Sequence, residues 1–311
     1  MRDEGPVHLL VNPRAGQGRA GERAAIVCGL IEDAALPVVL SETKSPQDTV
    51  NQAAEAWASG ARAVVACGGD GTLNQVLQGL MQARSVDENP VLGLVAAGTG
   101  NDNARSLGIP TEPNEVAAAL VDGLQANRTA RVDLARVQTE DADAWFVGVL
   151  STGFDSSVNE RANRRRWPPG RAKYILAMVA ELGAFHPVDY QVSVDGREID
   201  GLGMLVAVGN GASYGGGMRI CPTAQVDDGY LDLTWVGPVS KPAFLKVFPR
   251  VFAGTHLEHP QVRALRGVHL TINAPGQVAY ADGERIGSLP VQIDLVKGVL
   301  EVLGAPRSLS A

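Results

Sequence analysis

Cysteine is scarce: the 311 residues hold three, Cys28, Cys67 and Cys221, with no CxxC pair and no metal-ligand spacing. They read as small hydrophobes, Cys28 and Cys67 in buried apolar contexts, and their scarcity fits a reducing compartment. No charged segment followed by an apolar stretch opens the chain, so no secretory leader is expected. No run approaches the roughly 20 apolar residues of a membrane span. The expected location is cytoplasmic, and any membrane contact is expected to be peripheral, at the inner face. Excess positive charge is also missing. The net charge of -7 excludes a chain built throughout as a nucleic-acid binder. There is no internal repeat, no low-complexity tract and no GxxxxGK[ST], which excludes the usual P-loop.

What is present is a chain of ordinary globular composition, 45% apolar and 20% charged, long enough for about two domains. The first third alternates strand-like and helix-like stretches. Strands are expected at Val7–Val11, Val38–Leu40, Ala63–Ala66 and Val91–Val95. Helices are expected at Arg19–Asp33, from a Ser45-Pro46 start to about Ser59, and after "GGDGT". Four such units predict an α/β domain with a parallel sheet. From about Thr129 the pattern changes to strands with few helices between them: "RVDLARV", "WFVGVL", "YQVSV", "MLVAVG", "YLDLTWV" and "VHLTIN". Helical stretches interrupt at about Asp155–Phe185 and Lys241–Phe252. The expectation is an α/β domain over 1–127 and a mainly antiparallel β domain over 128–297.

Two glycine turns follow strands of the first domain. In "VVACGGDGTLNQV", Gly68 and Gly69 leave a strand, and a helix opens immediately after. Glycine lets a ligand approach the backbone, and the free N–H groups of a helix start suit phosphate. Asp70 suits Mg²⁺ better than phosphate. Gly71 completes the turn, and Thr72 adds a hydroxyl. The competing reading is a tight strand-to-helix turn capped by Asp70. "AAGTGND" repeats the design with Gly98, Thr99 and Gly100, and carboxyl ends of parallel strands are where ligands bind. "GQGRAG" (Gly16, Gly18, Gly21) matches GxGxxG, but "NPRA" separates it from the strand, so a dinucleotide fingerprint is disfavoured.

"VNPRAG", "GGDGTLNQV", "GTGNDNARSLGIP", "GFDSSVNE", "CPTAQVDDGYLDL" and "ADGERI", in this order, resemble the diacylglycerol kinase catalytic family, in its soluble bacterial lipid kinase branch related to sphingosine and ceramide kinases. The similarity runs over nearly the whole chain. It implies an NAD-kinase- and phosphofructokinase-like nucleotide domain, a C-terminal sandwich, an active site in the cleft between them, and a last strand near Gly298–Leu303 returning to the first domain. The implied reaction moves the γ-phosphoryl group of ATP to a lipid hydroxyl, diacylglycerol by default. Asn12 to Gly16, Thr43, Gly68, Gly69, Asp70, Gly71, Thr72 and Thr99 would surround the nucleotide. Asp282 or Glu284 would activate the acceptor; the pattern alone reads Asp282-Gly283 as a hairpin turn. A structural Mg²⁺ would take the Asp228 carboxylate with the carbonyls of Gln225 and Tyr230, and Asp70 would join that ion network through water. A solvated acidic turn is the alternative for 225–230.

Arg161, Arg164, Arg165, Arg166, Arg171 and Lys173 make the stretch Asn159–Tyr174 basic, beside Trp167. It suits either anionic lipid headgroups or a solvated helix end; nothing supports nucleic acid as partner. Tyr214 and Met218 are candidate apolar contacts for the acceptor. Asn103 stands where relatives carry an aromatic residue, and Arg14 and Ala15 replace small hydroxyl residues. Alternatives to the lipid kinase are a kinase of a sphingoid base, NAD or a sugar phosphate, and a nucleotide-binding regulator without catalysis. The oligomeric state stays open, a homodimer included.

Overall fold

A computed structural model describes Arg2, residues 4–164 and residues 185–306. The chain forms two compact units. One comprises Met1–Leu134, Val226–Asp228 and Val296–Ala311; the other comprises Ala135–Gln225 and Gly229–Leu295.

The first unit is the expected α/β arrangement. Strands β1 (Val7–Val11), β2 (Val38–Glu42), β3 (Ala63–Gly68) and β4 (Val91–Ala96) lie parallel in the order β2-β1-β3-β4. Every residue of β3 and β4 is buried, as continuous apolar runs covered on both faces must be. Edge strand β2 is half exposed. Helices α1 (Arg19–Asp33) and α5 (Pro113–Gln125) pack together, as do α2 (Pro46–Ala58) and α3 (Asp70–Ala83). Helix α2 starts where Ser45 and Pro46 predict: Ser45 Oγ accepts the Asp48 N–H at 3.2 Å, a cap worth about 1 kcal/mol. A short helix, α4 (Asp102–Ser106), follows β4.

Strand β5 (Ala130–Gln138) opens the β-rich part of the chain. The last strand expected from Gly298 is longer than predicted: β16 runs over Val291–Val302. Its Glu301 and Val302 pair in parallel with Val91 and Leu92 of β4. Asp133 in β5 holds the approach, accepting the Gly298 N–H on Oδ1 at 2.6 Å, while its own N–H donates to Val226 O at 2.7 Å.

In the second unit, β7 (Val149–Gly153), β10 (Leu205–Gly209), β11 (Leu231–Val236), β12 (Val262–Gly267), β14 (Val278–Ala281) and β15 (Glu284–Ser288) form an antiparallel sheet in the order β12-β11-β10-β7-β14-β15. Strands β8 (Val188–Val194), β9 (Arg197–Gly203) and β13 (His269–Asn273) pair antiparallel with one another and with the start of β16. The inward faces share one core, including Phe146, Leu150, Val208, Leu233, Ile272 and Ile293, with Tyr190 edge-on to Trp235 at 5.6 Å between ring centroids. "WFVGVL" is not one strand. It divides into β6 (Asp143–Phe146) and β7 around Val147 and Gly148, because a side chain takes the backbone N–H groups there. Helices α6 (Phe154–Arg164) and α7 (Lys241–Ala253) complete the described part. Of the basic stretch, residues up to Arg164 belong to α6, whereas Arg165, Arg166, Trp167, Arg171 and Lys173 lie outside the described residues.

Cys67 is a buried free thiol, as its context suggests, and Cys221 is buried too, but Cys28 is only half-buried. It sits on α1 one turn before Glu32, whose carboxylate is 3.8 Å from its sulfur.

Candidate active site

The register of the first unit brings the predicted nucleotide residues to one sheet edge. Val11 pairs with both Glu42 and Cys67, and Gly68 pairs with Ala96, so four strands end together. The residues just beyond continue the ladder: Thr43 N–H donates to Val11 O at 2.8 Å, Asn12 N–H to Cys67 O at 3.1 Å, and Ala97 N–H to Gly68 O at 2.7 Å. Asn12 and the Gly68–Thr72 turn flank the junction of β1 and β3. There the winding of the sheet reverses, which is where parallel sheets open a crevice for ligands. Asn12 Nδ2 donates to Thr72 Oγ1 at 3.2 Å, tying the two sides. Thr43 and Thr72 are buried, whereas Thr99 is exposed. The Thr43 hydroxyl donates to Val11 O at 3.2 Å, so it serves the sheet edge itself.

Close packing uses the glycines. Gly16 has φ +60, and a Cβ there would lie 2.2 Å from Ala97 O. A Cβ on Gly69 would lie 3.3 Å from the Cα of Gly98. Thus the turns after β1, β3 and β4 touch one another. Asp70, the first residue of α3, accepts the N–H groups of Asn103 at 3.0 Å and Asp102 at 3.3 Å, capping α4 from another segment. Desolvation raises its carboxyl pKa, against the pull of those two N–H groups. Asp102 pairs with Arg105 at 2.6 Å. Asn103, buried, meets Asp70 through its backbone, so no aromatic side chain is required for that contact.

In the second unit β14 and β15 form a hairpin whose two turn residues, Asp282 (φ +49) and Gly283 (φ +85), have the left-handed conformation of a tight primed turn. The hairpin reading of Asp282-Gly283 therefore holds, and the carboxylate has a further task. It accepts three consecutive backbone N–H groups, Val147 at 3.0 Å, Gly148 at 3.0 Å and Val149 at 3.1 Å. These are the donors that leave the ladder between β6 and β7. Glu284, two residues on, is exposed as a residue, yet desolvation by surrounding protein raises its carboxyl pKa.

Asp155, in the first turn of α6, hydrogen-bonds the side chains of Tyr214 and Ser151, and burial pushes its pKa up to about 6. Its Oδ2 is sealed from solvent without a hydrogen-bond partner. Tyr214, expected to supply apolar contact, thus also has a polar role; its backbone bridges to Met218.

Asp228 lies in a bend followed by Gly229 at φ +78. Among the described residues no three His, Cys, Asp or Glu side chains gather as for a metal ion. The set expected for Mg²⁺ is one carboxylate with the carbonyls of Gln225 and Tyr230. These are oxygen donors only, the chemistry a hard cation takes.

Residues 6–137 match the model of the diacylglycerol kinase catalytic domain, and residues 148–304 match that of the YegS C-terminal NAD kinase beta sandwich-like domain. A diacylglycerol kinase of Mycobacterium tuberculosis is 39% identical over 302 residues, covering 96% of this chain and 95% of that protein. The chain belongs to the diacylglycerol kinase catalytic family. The resemblance read from the ordered motifs is borne out. The crystal structure of a Bacillus anthracis diacylglycerol kinase has the same fold, with a TM-score of 0.74 at 22% identity over 97% of both chains. An Archaeoglobus fulgidus NAD kinase solved with ATP aligns with a TM-score of 0.54 at 13% identity, covering 96% of this chain and 93% of that one. The expected fold class, a NAD-kinase-like parallel sheet followed by a mainly antiparallel domain, is therefore correct.

Within this member of the diacylglycerol kinase family, sequence reasoning missed three polar residues. Arg23 on α1 donates to Ala96 O at 2.7 Å and Thr111 O at 2.8 Å, bracing the end of β4. No local pattern marks it. Asp133 stands in "RVDLARV", where an acid among strand residues was a visible anomaly. Asp155 stands inside "GFDSSVNE", a motif used for recognition but not read for chemistry.

Proposed function

We propose that this protein is an ATP-dependent lipid kinase acting on diacylglycerol to give phosphatidic acid. The observation that carries the reading is the aligned edge of β1, β2, β3 and β4, where Asn12, Thr43 and the Gly68–Thr72 turn meet beside the reversal of strand order. Backbone N–H groups at the start of α3 and after Gly98, including Thr99, face the phosphates. Asn12 to Gly16 close the other side. Asp70 is a positioning residue through its bonds to Asp102 and Asn103. Mg²⁺, when bound, would supply neutralising charge, and the Asp228 carboxylate with the Gln225 and Tyr230 carbonyls would hold the structural ion.

Of the two candidate bases, the geometry favours Glu284. Asp282 is committed to three backbone donors, while desolvation makes Glu284 more basic than an ordinary glutamate. Glu284 takes the proton of the acceptor hydroxyl, whose oxygen forms the new bond to the γ-phosphorus. The bond from that phosphorus to the β–γ bridging oxygen breaks, and ADP leaves. Peripheral membrane contact through Arg161–Lys173 belongs to the same reading, and reversing the charge of Arg164–Arg166 tests it by vesicle binding.

The deciding experiment incubates purified protein with radiolabelled ATP and Mg²⁺ against diacylglycerol, sphingosine, ceramide, NAD and a sugar phosphate in parallel. Label in phosphatidic acid is expected. Label only in another acceptor refutes the substrate, and ATP left intact with every acceptor refutes the enzyme.

A further inference from the structure

Strand β4 runs past its neighbour on one side. Strand β16 meets it only at Val91 and Leu92, with the Leu303 N–H adding one bond to Leu92 O. On the other side β3 accompanies it to the end, with Gly68 opposite Ala96. Among the described residues, the outer side of β4 from Gly93 onward therefore has no strand beside it. A buried carbonyl there needs a donor from elsewhere. Arg23, half-buried in the second turn of α1, supplies one: its Nη1 donates to Ala96 O at 2.7 Å and to Thr111 O at 2.8 Å.

The first of these bonds acts on a peptide group that is already held from behind. The Ala96 carbonyl and the Ala97 N–H belong to one trans peptide plane and point in opposite directions. The N–H donates to Gly68 O at 2.7 Å, while the carbonyl accepts from Arg23. That plane is thus fixed at both ends, by β3 and by α1, immediately before the Gly98 turn. The next carbonyl, Ala97 O, faces Gly16, where a Cβ would lie 2.2 Å away. The Gly98 N–H, in the same plane as Ala97 O, is therefore turned away from Gly16. The second acceptor, Thr111 O, lies between α4 and α5, so Arg23 ties that link to the same point. One turn earlier on α1, Arg19 Nε donates to Gly16 O at 3.0 Å. Both arginines hold carbonyls of the turns, and their charge adds positive potential behind them.

We infer that Arg23 is a positioning residue for the phosphates of ATP: through the Ala96–Ala97 peptide it sets the direction in which the Gly98–Thr99 turn presents its N–H groups. The inference rests on the nucleotide reading of that turn. It adds to the site a residue of α1 that lies outside the turns themselves. Arg23 acts through the turn and does not touch the nucleotide.

The test measures binding to the purified full chain without lipid. ATP with Mg²⁺ is titrated by calorimetry, and labelled adenosine, which has no phosphate to meet the turn, is followed by equilibrium dialysis. Arg23→Gln is expected to weaken ATP about tenfold, the worth of one or two such bonds, and to leave adenosine within about twofold. Arg23→Lys keeps the charge but ends one bond short of Nη1, so its ATP affinity should fall between, about threefold below wild type. In turnover on diacylglycerol the loss appears in KM for ATP rather than in kcat. Arg62→Gln is the control for a lost arginine–carbonyl bond at the other end of the sheet. Arg62 precedes β3 and donates to Leu124 O, so its loss should lower the melting temperature without changing ATP affinity.

ATP affinity within about twofold of wild type in Arg23→Gln overturns the inference. So does an equal loss for ATP and adenosine, which would make Arg23 a structural brace only. Should Arg23→Gln not fold, Arg23→Lys decides alone by the same two criteria. Wild-type protein that binds ATP but phosphorylates no diacylglycerol leaves the role of Arg23 standing and refutes the reaction. Wild-type protein that binds no ATP refutes both.

Discussion

Gly69 and Gly98 approach so closely that a Cβ on Gly98 would stand 2.8 Å from the Cα of Gly69 and 2.9 Å from Asn101 Oδ1. The two turns read as phosphate cradles are therefore also each other's packing surface. Gly98→Ala must force them apart, at a cost of about 1–3 kcal/mol, and a displaced turn misaims its N–H groups. The expected outcome is a melting temperature lower by several degrees and ATP affinity weaker by about tenfold or more, read by thermal melting and titration calorimetry. Gly21→Ala is the control. It lies in α1 with nothing within 4 Å of a new Cβ and should gain about 0.5–1 kcal/mol.

Asp282 and Glu284 should separate by readout. Glu284→Gln removes the proposed base, so kcat falls about 10²- to 10⁴-fold with the melting temperature held or raised, because the ionised carboxylate is disfavoured by desolvation. Asp282→Asn keeps the positive φ, which asparagine tolerates, but turns part of the acceptor for Val147, Gly148 and Val149 into a donor. A stability loss of about 3 kcal/mol is expected, seen as a lower denaturation midpoint. Full activity in Glu284→Gln, with inactive but stable Asp282→Asn, would reverse the assignment.

Thiol labelling should distinguish the cysteines. Cys67 and Cys221 are buried, and burial raises their thiol pKa, that of Cys221 to about 12. Neither offers thiolate at pH 8. Cys28 is reachable but slow, raised by burial and by Glu32. Iodoacetamide on the native protein is expected to add one group, at Cys28, and three after unfolding, by mass spectrometry. Early labelling of Cys67 would contradict the packing of β3.

How far the sequence could be read depended on whether a feature is local. The start of α2 was legible because Ser45-Pro46 acts within one turn, and the parallel strands were legible as apolar runs bounded by glycine. Strand order was not: the β2-β1-β3-β4 order comes from crossovers that composition does not encode, and that order gives Asn12 and Gly68 their shared position. The split of "WFVGVL" was hidden because its cause, Asp282, lies more than 130 residues away. Asp70 was seen as an ion partner from its residue type, but its bonds to Asp102 and Asn103 depend on the neighbouring turn being in contact. Cys28 was misread because an apolar neighbourhood in sequence does not say which side of α1 a residue faces.

Asp155 should make stability depend on pH. Its pKa in the folded protein is about 6, about 2 above an unfolded aspartate. Between the two values the folded chain holds a proton that the unfolded chain has lost. Stability is therefore highest below the unfolded pKa and declines as pH rises through about 4 to 6. At pH 7.5 the charged carboxylate costs on the order of 3 kcal/mol relative to a pH well below the unfolded value. Asp155→Asn keeps an acceptor for Ser151 and Tyr214 but cannot ionise. Its new amide hydrogens face the unpartnered pocket of Oδ2, a cost that does not change with pH. The quantity to read is thus the change in the wild-type-minus-variant difference, from urea denaturation at pH 4.5 and pH 7.5. The variant should gain on the wild type by roughly 2 kcal/mol between the two. An unchanged difference would mean that Asp155 is ionised throughout, with a partner for Oδ2 in solution.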